Sequence, residues 1–98
     1  MTKIAELPTF DMAEHLKTDE DVAAYLSLVL EEDDPSELAH ALGVIARARG
    51  MSEIASASGL TREALYKALR PGSQPRFDTI RRVCGALGVR LVAQPIHT

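Results

Sequence analysis

The sequence M-S-E-I-A-S-A-S-G-L-T-R-E-A-L-Y-K-A-L-R, residues 51–70, decides the fold of this 98-residue chain. Two short stretches with helical spacing of apolar residues meet at Gly59. Glycine adopts positive φ without a Cβ clash, so Gly59 predicts a sharp turn, and the Thr61 hydroxyl can cap the helix that follows. The inward-facing positions are Ile54 and Ala55 before the turn, and Leu60, Leu65 and Leu69 after it.

The spacing of Ala55, Gly59, Leu60 and Leu65 is typical of a helix-turn-helix, whose second helix lies in the major groove of DNA. Ala55 is small, as a close helix crossing requires. Ser58 departs from the pattern, since an apolar residue commonly precedes the turn, and we expect looser packing there. The alternative interpretation is an ordinary pair of antiparallel helices in a bundle.

Length and composition predict one mainly α-helical domain spanning residues 1–98, because Ala, Leu, Glu and Arg abound and strand formers are scarce before residue 89. No apolar run approaches the length of a membrane span, and the N-terminus lacks a leader pattern, so we expect a cytoplasmic protein. The single cysteine, Cys84, excludes a disulfide within the chain and is expected to be a buried thiol.

The net charge of −3 divides unevenly along the chain. Residues 1–37 hold eleven acidic and two basic residues, a net charge of −9. Residues 38–98 hold three acidic and nine basic residues, a net charge of +6. Such asymmetry suggests two surfaces with different partners, and the basic half coincides with the predicted helix-turn-helix, as phosphate binding requires.

Capping residues and apolar periodicity predict the remaining helices. Asp34, Pro35 and Glu37 resemble a helix start with a capping box, and Gly50 is expected to end that helix in a left-handed conformation. Tyr25 and Phe77 fall within apolar stripes and are expected in the core. The predicted helices cover residues 11–16, 19–30, 35–49, 52–58, 62–69 and 77–87. The predicted domain thus has three parts: an acidic helical region (1–33), a helix-turn-helix core (34–88) and a C-terminal segment (89–94) that is predicted to be a strand.

The C-terminal segment begins with V-R-L-V-A, residues 89–93, the only stretch typical of a β-strand. One isolated strand cannot satisfy its backbone hydrogen bonds. Unless it folds back as coil, it must pair with another chain, and pairing across a two-fold axis would give a homodimer. Helix-turn-helix proteins commonly bind two DNA half-sites as dimers.

Four blocks of sequence together resemble the probable addiction-module antidote family of bacterial antitoxins. They are A-L-G-V-I-A-R-A-R-G-M-S-E-I-A (41–55), G-L-T-R-E-A-L-Y-K-A-L (59–69), P-R-F-D-T-I (75–80) and A-L-G-V-R-L (86–91). Including similar N-terminal features, the resemblance covers about residues 10–93. It implies a lambda-repressor-like five-helix domain with extra N-terminal helices.

The resemblance also implies two partners: a RelE-like, mRNA-cleaving toxin and the promoter DNA of the shared operon. A toxin that binds RNA is expected to be basic, so the acidic region is a candidate docking surface, although an apolar groove could carry that contact instead. The candidate toxin-binding residues are Glu20, Asp21, Glu31, Glu32 and Asp33.

On the second helix of the motif, the inward leucines leave a cationic face outward. We expect Arg62 to bind a guanine through its guanidinium fork, with Glu63 positioning it by a salt bridge rather than contacting a cytosine amine. Tyr66 would contact a thymine methyl or a phosphate. Phosphate contacts are expected from Lys67, Arg70 and Arg76, and from Ser52 and Thr61 alongside helix capping.

Catalysis finds no support in the sequence. His15, His40 and His97 lie on separate segments without cysteine or paired carboxylates at ligand spacing, and no nucleophile motif or phosphate-binding glycine loop occurs. We therefore expect neither enzymatic activity nor a cofactor or metal. Two alternatives to an antitoxin stay open: a stand-alone transcriptional regulator, and an interaction module that does not use its helix-turn-helix on DNA.

Overall fold

The computed structural model describes residues 15–96, which form five α-helices. They are α1 (Asp19–Glu31), α2 (Pro35–Arg49), α3 (Met51–Ser58), α4 (Arg62–Ala68) and α5 (Phe77–Ala86). The mainly helical class is confirmed. The resemblance implies five helices in addition to N-terminal ones, whereas residues 15–96 contain five helices with α1 included. Most of the short helix predicted for residues 11–16 lies outside the described residues. No helix among residues 15–96 combines the length and hydrophobicity needed to cross a membrane.

Helix α1 begins at the predicted residue, and a capping box forms at its start. The Thr18 hydroxyl accepts a hydrogen bond from the Asp21 backbone N–H at 3.0 Å, and the Thr18 N–H donates to the Asp21 carboxylate at 3.3 Å. These bonds satisfy two N–H groups that a helix start would otherwise leave unpaired. Val22 and Leu26 are buried on the face that packs against α2.

Helix α2 has its predicted start, with Asp34 at the N-cap and Pro35 in the first turn. The Asp34 carboxylate accepts from the Ser36 N–H at 2.9 Å, but the reciprocal bond from Glu37 that would complete a capping box does not form. At the other end Gly50 has φ 107° and ψ 113°, which is positive φ but not the predicted left-handed helical conformation. It joins α2 to α3 with no further residue between them, so α3 starts at Met51, one residue earlier than predicted.

The turn between α3 and α4 has the predicted geometry. Gly59 lies in the left-handed region, with φ 77° and ψ 14°, a conformation that only glycine adopts without strain. The Leu60 N–H then donates back to the Ala55 carbonyl at 3.0 Å. The Ser58 hydroxyl is buried and donates to the same carbonyl at 3.0 Å, so this polar residue is paired internally and its position is not loosely packed.

Helix α3 is at the centre of the fold and contacts α2, α4 and α5. The core is continuous through the helices, and its largest fully buried side chains include Leu42, Ile45, Leu65, Leu69 and Leu87. Both inward-facing leucines of α4 are therefore where the spacing predicts them. Phe77 is not: it is 66% exposed, and the prediction that it belongs to the core is wrong. Phe77 is the first residue of α5, and no helix among residues 15–96 covers that end of the apolar stripe on α5.

Cys84 is buried, as predicted, and burial raises the pKa of its thiol to about 11. Desolvation disfavours the thiolate, which is the reactive form, so the side chain acts as a small apolar core residue. Gly85 next to it is exposed, and a Cβ placed there would meet nothing within 4 Å. Packing therefore gives no reason for a glycine at this position.

The C-terminal segment forms no strand; residues 89–96 have no regular secondary structure. The described part of this chain offers it no neighbouring strand, so Val89 and Leu91 instead pack half-buried against the core. Gly88, with φ 85°, starts this segment beside α1, where a Cβ would lie only 2.7 Å from the Asp19 carboxylate. The same carboxylate faces Arg49 at 3.4 Å, so the starts of α1 and of the segment meet at the end of α2.

Candidate DNA-binding surface and acidic surface

The residues predicted to contact DNA are all solvent-accessible, while the leucines of the same helix are buried. Leu65 and Leu69 are 0% and 2% exposed, which fixes the orientation of α4 relative to the core. The opposite side of the helix consequently faces outward. The exposed candidates are Ser52, Thr61, Arg62, Glu63, Tyr66, Lys67, Arg70 and Arg76.

Arg62 is held by Tyr66, one turn later on α4. Its guanidinium donates to the Tyr66 hydroxyl at 3.3 Å and lies 5.5 Å from the centre of the Tyr66 ring. The expected salt bridge with Glu63 does not form, because adjacent helix positions point in different directions whereas i and i+4 share a face. Tyr66, rather than the predicted Glu63, is therefore the side chain that contacts Arg62.

A further cation, Arg47 of α2, joins this surface. Arg47, Tyr66, Lys67 and Arg70 line one shallow concavity of about 380 Å³. A second concavity is lined by Lys67, Arg70 and the 71–73 loop. We call Arg47, Arg62, Tyr66, Lys67 and Arg70 the cationic surface. Among residues 15–96, none of its four basic groups forms a salt bridge with a carboxylate.

The sequence did not assign Arg47 to this surface, because a basic residue in the last turn of α2 is already favourable for that helix alone. Gly43, one turn earlier on α2, shows why it lies there. A Cβ on Gly43 would be 3.2 Å from both the Arg47 guanidinium and the Leu69 carbonyl oxygen. The missing side chain at Gly43 allows the end of α4 to approach α2 closely, and Arg47 extends along the same contact.

The other predicted DNA contacts have different positions. Thr61 is the N-cap of α4, where its hydroxyl accepts from the Ala64 N–H at 3.0 Å. Ser52 lies in the first turn of α3 and makes no capping bond, since Gly50 occupies the cap. Arg76 is the N-cap residue of α5 and likewise makes no side-chain capping bond. None of the described concavities joins Ser52 or Arg76 to the cationic surface.

The five candidate toxin-binding residues separate into two groups. Glu20 and Asp21 lie in the first turn of α1, and Asp21 is engaged in the capping box. Glu31, Glu32 and Asp33 lie at the other end of the helix, about 15 Å away at ~1.5 Å per residue. The structure therefore does not bring all five together.

The second group continues into Asp34, and we call Glu31, Glu32, Asp33 and Asp34 the acidic end of α1. All four are exposed, and none forms a salt bridge with a basic group among residues 15–96. The last turn of α1 carries no basic residue to offset them. Partial burial raises the pKa of the nearby Tyr25 phenol, and the negative charges of Glu37 and Glu32 raise it further.

The described residues contain no cluster of three or more His, Cys, Asp or Glu side chains arranged to bind a metal ion. The ion pairs of this part of the chain include those of Asp78 on α5, which pairs with Arg82 at 3.0 Å and with Arg81 at 3.6 Å. Residues 15–96 thus present two exposed regions of opposite charge, the cationic surface and the acidic end of α1, which form no salt bridges within this range.

Comparison with known proteins identifies similar sequences but no similar solved structure. A family model described as "probable addiction module antidote protein" matches residues 6–95. An uncharacterized protein of Haemophilus influenzae (strain ATCC 51907 / DSM 11121 / KW20 / Rd) is 45% identical over 89 residues, covering 91% of this chain and 92% of the relative. No solved structure gives a significant match.

Proposed function

Because the chain belongs to the family of probable addiction module antidote proteins, we propose that it neutralises a RelE-like, mRNA-cleaving toxin and represses its own operon. In this proposal the helix-turn-helix formed by α3 and α4 binds operator DNA, and the acidic half of the molecule binds the toxin. Its role is binding rather than catalysis, and it acts in the bacterial cytoplasm. The observation that carries the proposal is the opposite charge of two exposed regions in a member of an antidote family.

The DNA-binding part is supported by the cationic surface. Its basic groups lie around α4 without carboxylate partners among residues 15–96, which leaves them available to phosphates. Arg62, at the start of α4, would contact a base edge, and Tyr66, whose hydroxyl accepts a hydrogen bond from it, would orient it. Lys67 and Arg70 would bind phosphates, and we add Arg47 to them because it lines the same concavity.

A mobility-shift assay on the chain's own upstream region tests this part. The wild-type protein should shift that DNA, and Lys67→Ala and Arg47→Ala should each weaken binding to all sequences and reduce the dependence of log affinity on log salt by about one. Arg81→Ala is the matched control, since that arginine is also exposed but pairs with Asp78 on α5. Failure of the wild-type protein to bind the DNA would refute this part.

The toxin-binding part is supported by family membership and by the acidic end of α1. The toxin should be the product of a neighbouring gene, about one hundred residues long and basic. Co-expression should suppress its ribonuclease activity, and the two chains should purify together. A toxin that stays active and separate would leave a stand-alone transcriptional regulator, the alternative function, provided that the mobility shift is positive.

We also propose that the protein binds its operator as a homodimer. The support is indirect: a helix-turn-helix gains affinity from two half-sites, and residues 90–96 make no backbone hydrogen bonds to other described residues. Pairing with a second copy would satisfy those groups. Sedimentation should give a dimer at micromolar concentration; a monomer at that concentration would contradict this part alone.

A further inference from the structure

An apolar groove lies beside the acidic end of α1, where three helices meet. Its volume is about 340 Å³, and its lining is mainly apolar. The apolar lining residues are Val29 and Leu30 of α1, Pro35 and Leu38 of α2, and Ile80 of α5. Asp33 and Asp34 form its edge, so apolar and acidic groups border the same opening.

The described fold leaves this groove only partly covered. Leu30 is 40% exposed, and Val29, Leu38 and Ile80 are half-buried at the margin of the core. Phe77, 66% exposed, lies one turn before Ile80 on α5 and extends the apolar surface. Apolar side chains grouped around a concavity are suited to receive an apolar side chain from a partner.

The charge beside the groove indicates the kind of partner. The acidic end of α1 has no basic partner among residues 15–96, and it stands at a helix C-terminus, where negative charge opposes the helix dipole. Asp33 has φ 56°, a left-handed conformation that aspartate adopts more readily than most residues other than glycine. Asp34 caps α2, but Glu31, Glu32 and Asp33 make no side-chain hydrogen bond or ion pair among residues 15–96, and a basic partner would neutralise their charges.

We propose that this groove is the docking site for the basic toxin, which inserts an apolar side chain flanked by lysine or arginine. This inference rests on the proposed function and specifies its location. It assigns the contact to Leu30, Leu38, Ile80 and the acidic end of α1, and excludes Glu20 and Asp21 at the opposite end of the helix. The apolar insertion supplies affinity, and the acidic edge supplies association rate and orientation.

Two leucines of α1 provide the test. Leu30→Asp places a carboxylate in the groove, while Leu28→Asp makes the same change at a residue that is 64% exposed and does not line it. Binding to the purified product of the neighbouring toxin gene is measured by calorimetry, with thermal melts showing that both variants are folded. Leu30→Asp should lower the affinity about tenfold or more, and Leu28→Asp should leave it unchanged. Equal affinities for wild type and Leu30→Asp would overturn the inference.

A charge variant tests the acidic end of α1 without risk to the fold. Glu32→Gln/Asp33→Asn removes two charges from exposed positions and keeps residues that tolerate their backbone conformations. It should slow association about threefold or more at low salt and have less effect at high salt, because salt screens exposed charges. Glu20→Gln/Glu53→Gln is the control with equal loss of charge. If both double variants slowed association equally, the effect would be a general electrostatic attraction, which would contradict a local role for the acidic end of α1.

The same measurements separate this inference from the function on which it rests. A wild-type chain that does not bind the toxin refutes both. A wild-type chain that binds, together with groove variants that bind equally well, refutes the groove alone. Light scattering tests whether a second copy of the chain occupies the groove instead. A change of oligomeric state in Leu30→Asp, with unchanged toxin affinity, would also refute the groove as the toxin site.

Discussion

The acidic end of α1 and the cationic surface differ in what their charges do for the fold. Arg47 and Lys67 of the cationic surface lie in the last turns of α2 and α4, where positive charge interacts favourably with the helix dipole. Glu31 lies in the last turn of α1, where negative charge opposes the dipole. The helix dipole alone could explain those two basic residues, but it does not explain Glu31. The acidic end is therefore the more informative sign of a partner, although helix-turn-helix spacing made the cationic surface easier to find.

Both regions depend on one core, and Leu65→Ala should disrupt them together. Leu65 is fully buried between α4 and the rest of the domain. Removing its side chain should lower the free energy of unfolding by about 2–5 kcal/mol, measured by urea denaturation. Binding of DNA and of toxin should both decline at 37 °C. Retention of either activity by a largely unfolded variant would show that its surface does not need the shared core.

Arg62→Ala should separate the two regions. Loss of a guanidinium that contacts a base should cost about 1–3 kcal/mol in operator affinity and relax selection at one base position. Affinity for the toxin should not change, because Arg62 lies on the cationic surface. Selection from randomised operators measures the first effect, and calorimetry the second. Unchanged operator affinity would move base recognition away from the start of α4.

Gly85→Ala changes the scaffold while leaving both regions intact. The position is exposed within α5, and a Cβ would meet nothing, so the variant should be more stable by about 1 kcal/mol through helix propensity alone. Urea denaturation checks the sign. A loss of DNA or toxin binding in this more stable protein would reveal a function for the glycine that its surroundings do not show.

The smallest effects test the comparison directly. Glu31→Gln should raise the free energy of unfolding and Lys67→Gln should lower it, each by roughly 0.3–1 kcal/mol at low salt, because the two helix ends carry charges of opposite sign. High salt should diminish both changes. Matched denaturation curves at two ionic strengths are sufficient. Shifts of the same sign would mean that the helix dipole does not account for the difference between the two ends.

Local signals in the sequence predicted most of the scaffold. Asp34 and Pro35 located the start of α2, and Gly59 located the turn, because capping and positive φ are decided by a few neighbouring residues. Apolar spacing likewise oriented α4 through Leu65. These features depend little on what the rest of the chain does.

The features that sequence missed depend on contacts between elements. Periodicity predicted an inward face for Phe77 but could not show that no other helix among residues 15–96 covers it. Glu63 was predicted to orient Arg62, whereas the i, i+4 spacing on α4 brings Tyr66 to it instead. The 89–93 strand is not formed within one chain, since a strand needs a neighbour that the described part of the chain does not supply.

Helix α2 connects the two regions as a single rigid element. Leu38 lines the groove near its first turn and Arg47 belongs to the cationic surface near its last, nine positions later and roughly 14 Å along the axis. A toxin at one end and a duplex at the other would thus be held at a set separation. If both proposed sites are used, α2 would set the distance between the toxin and the DNA bound to one molecule.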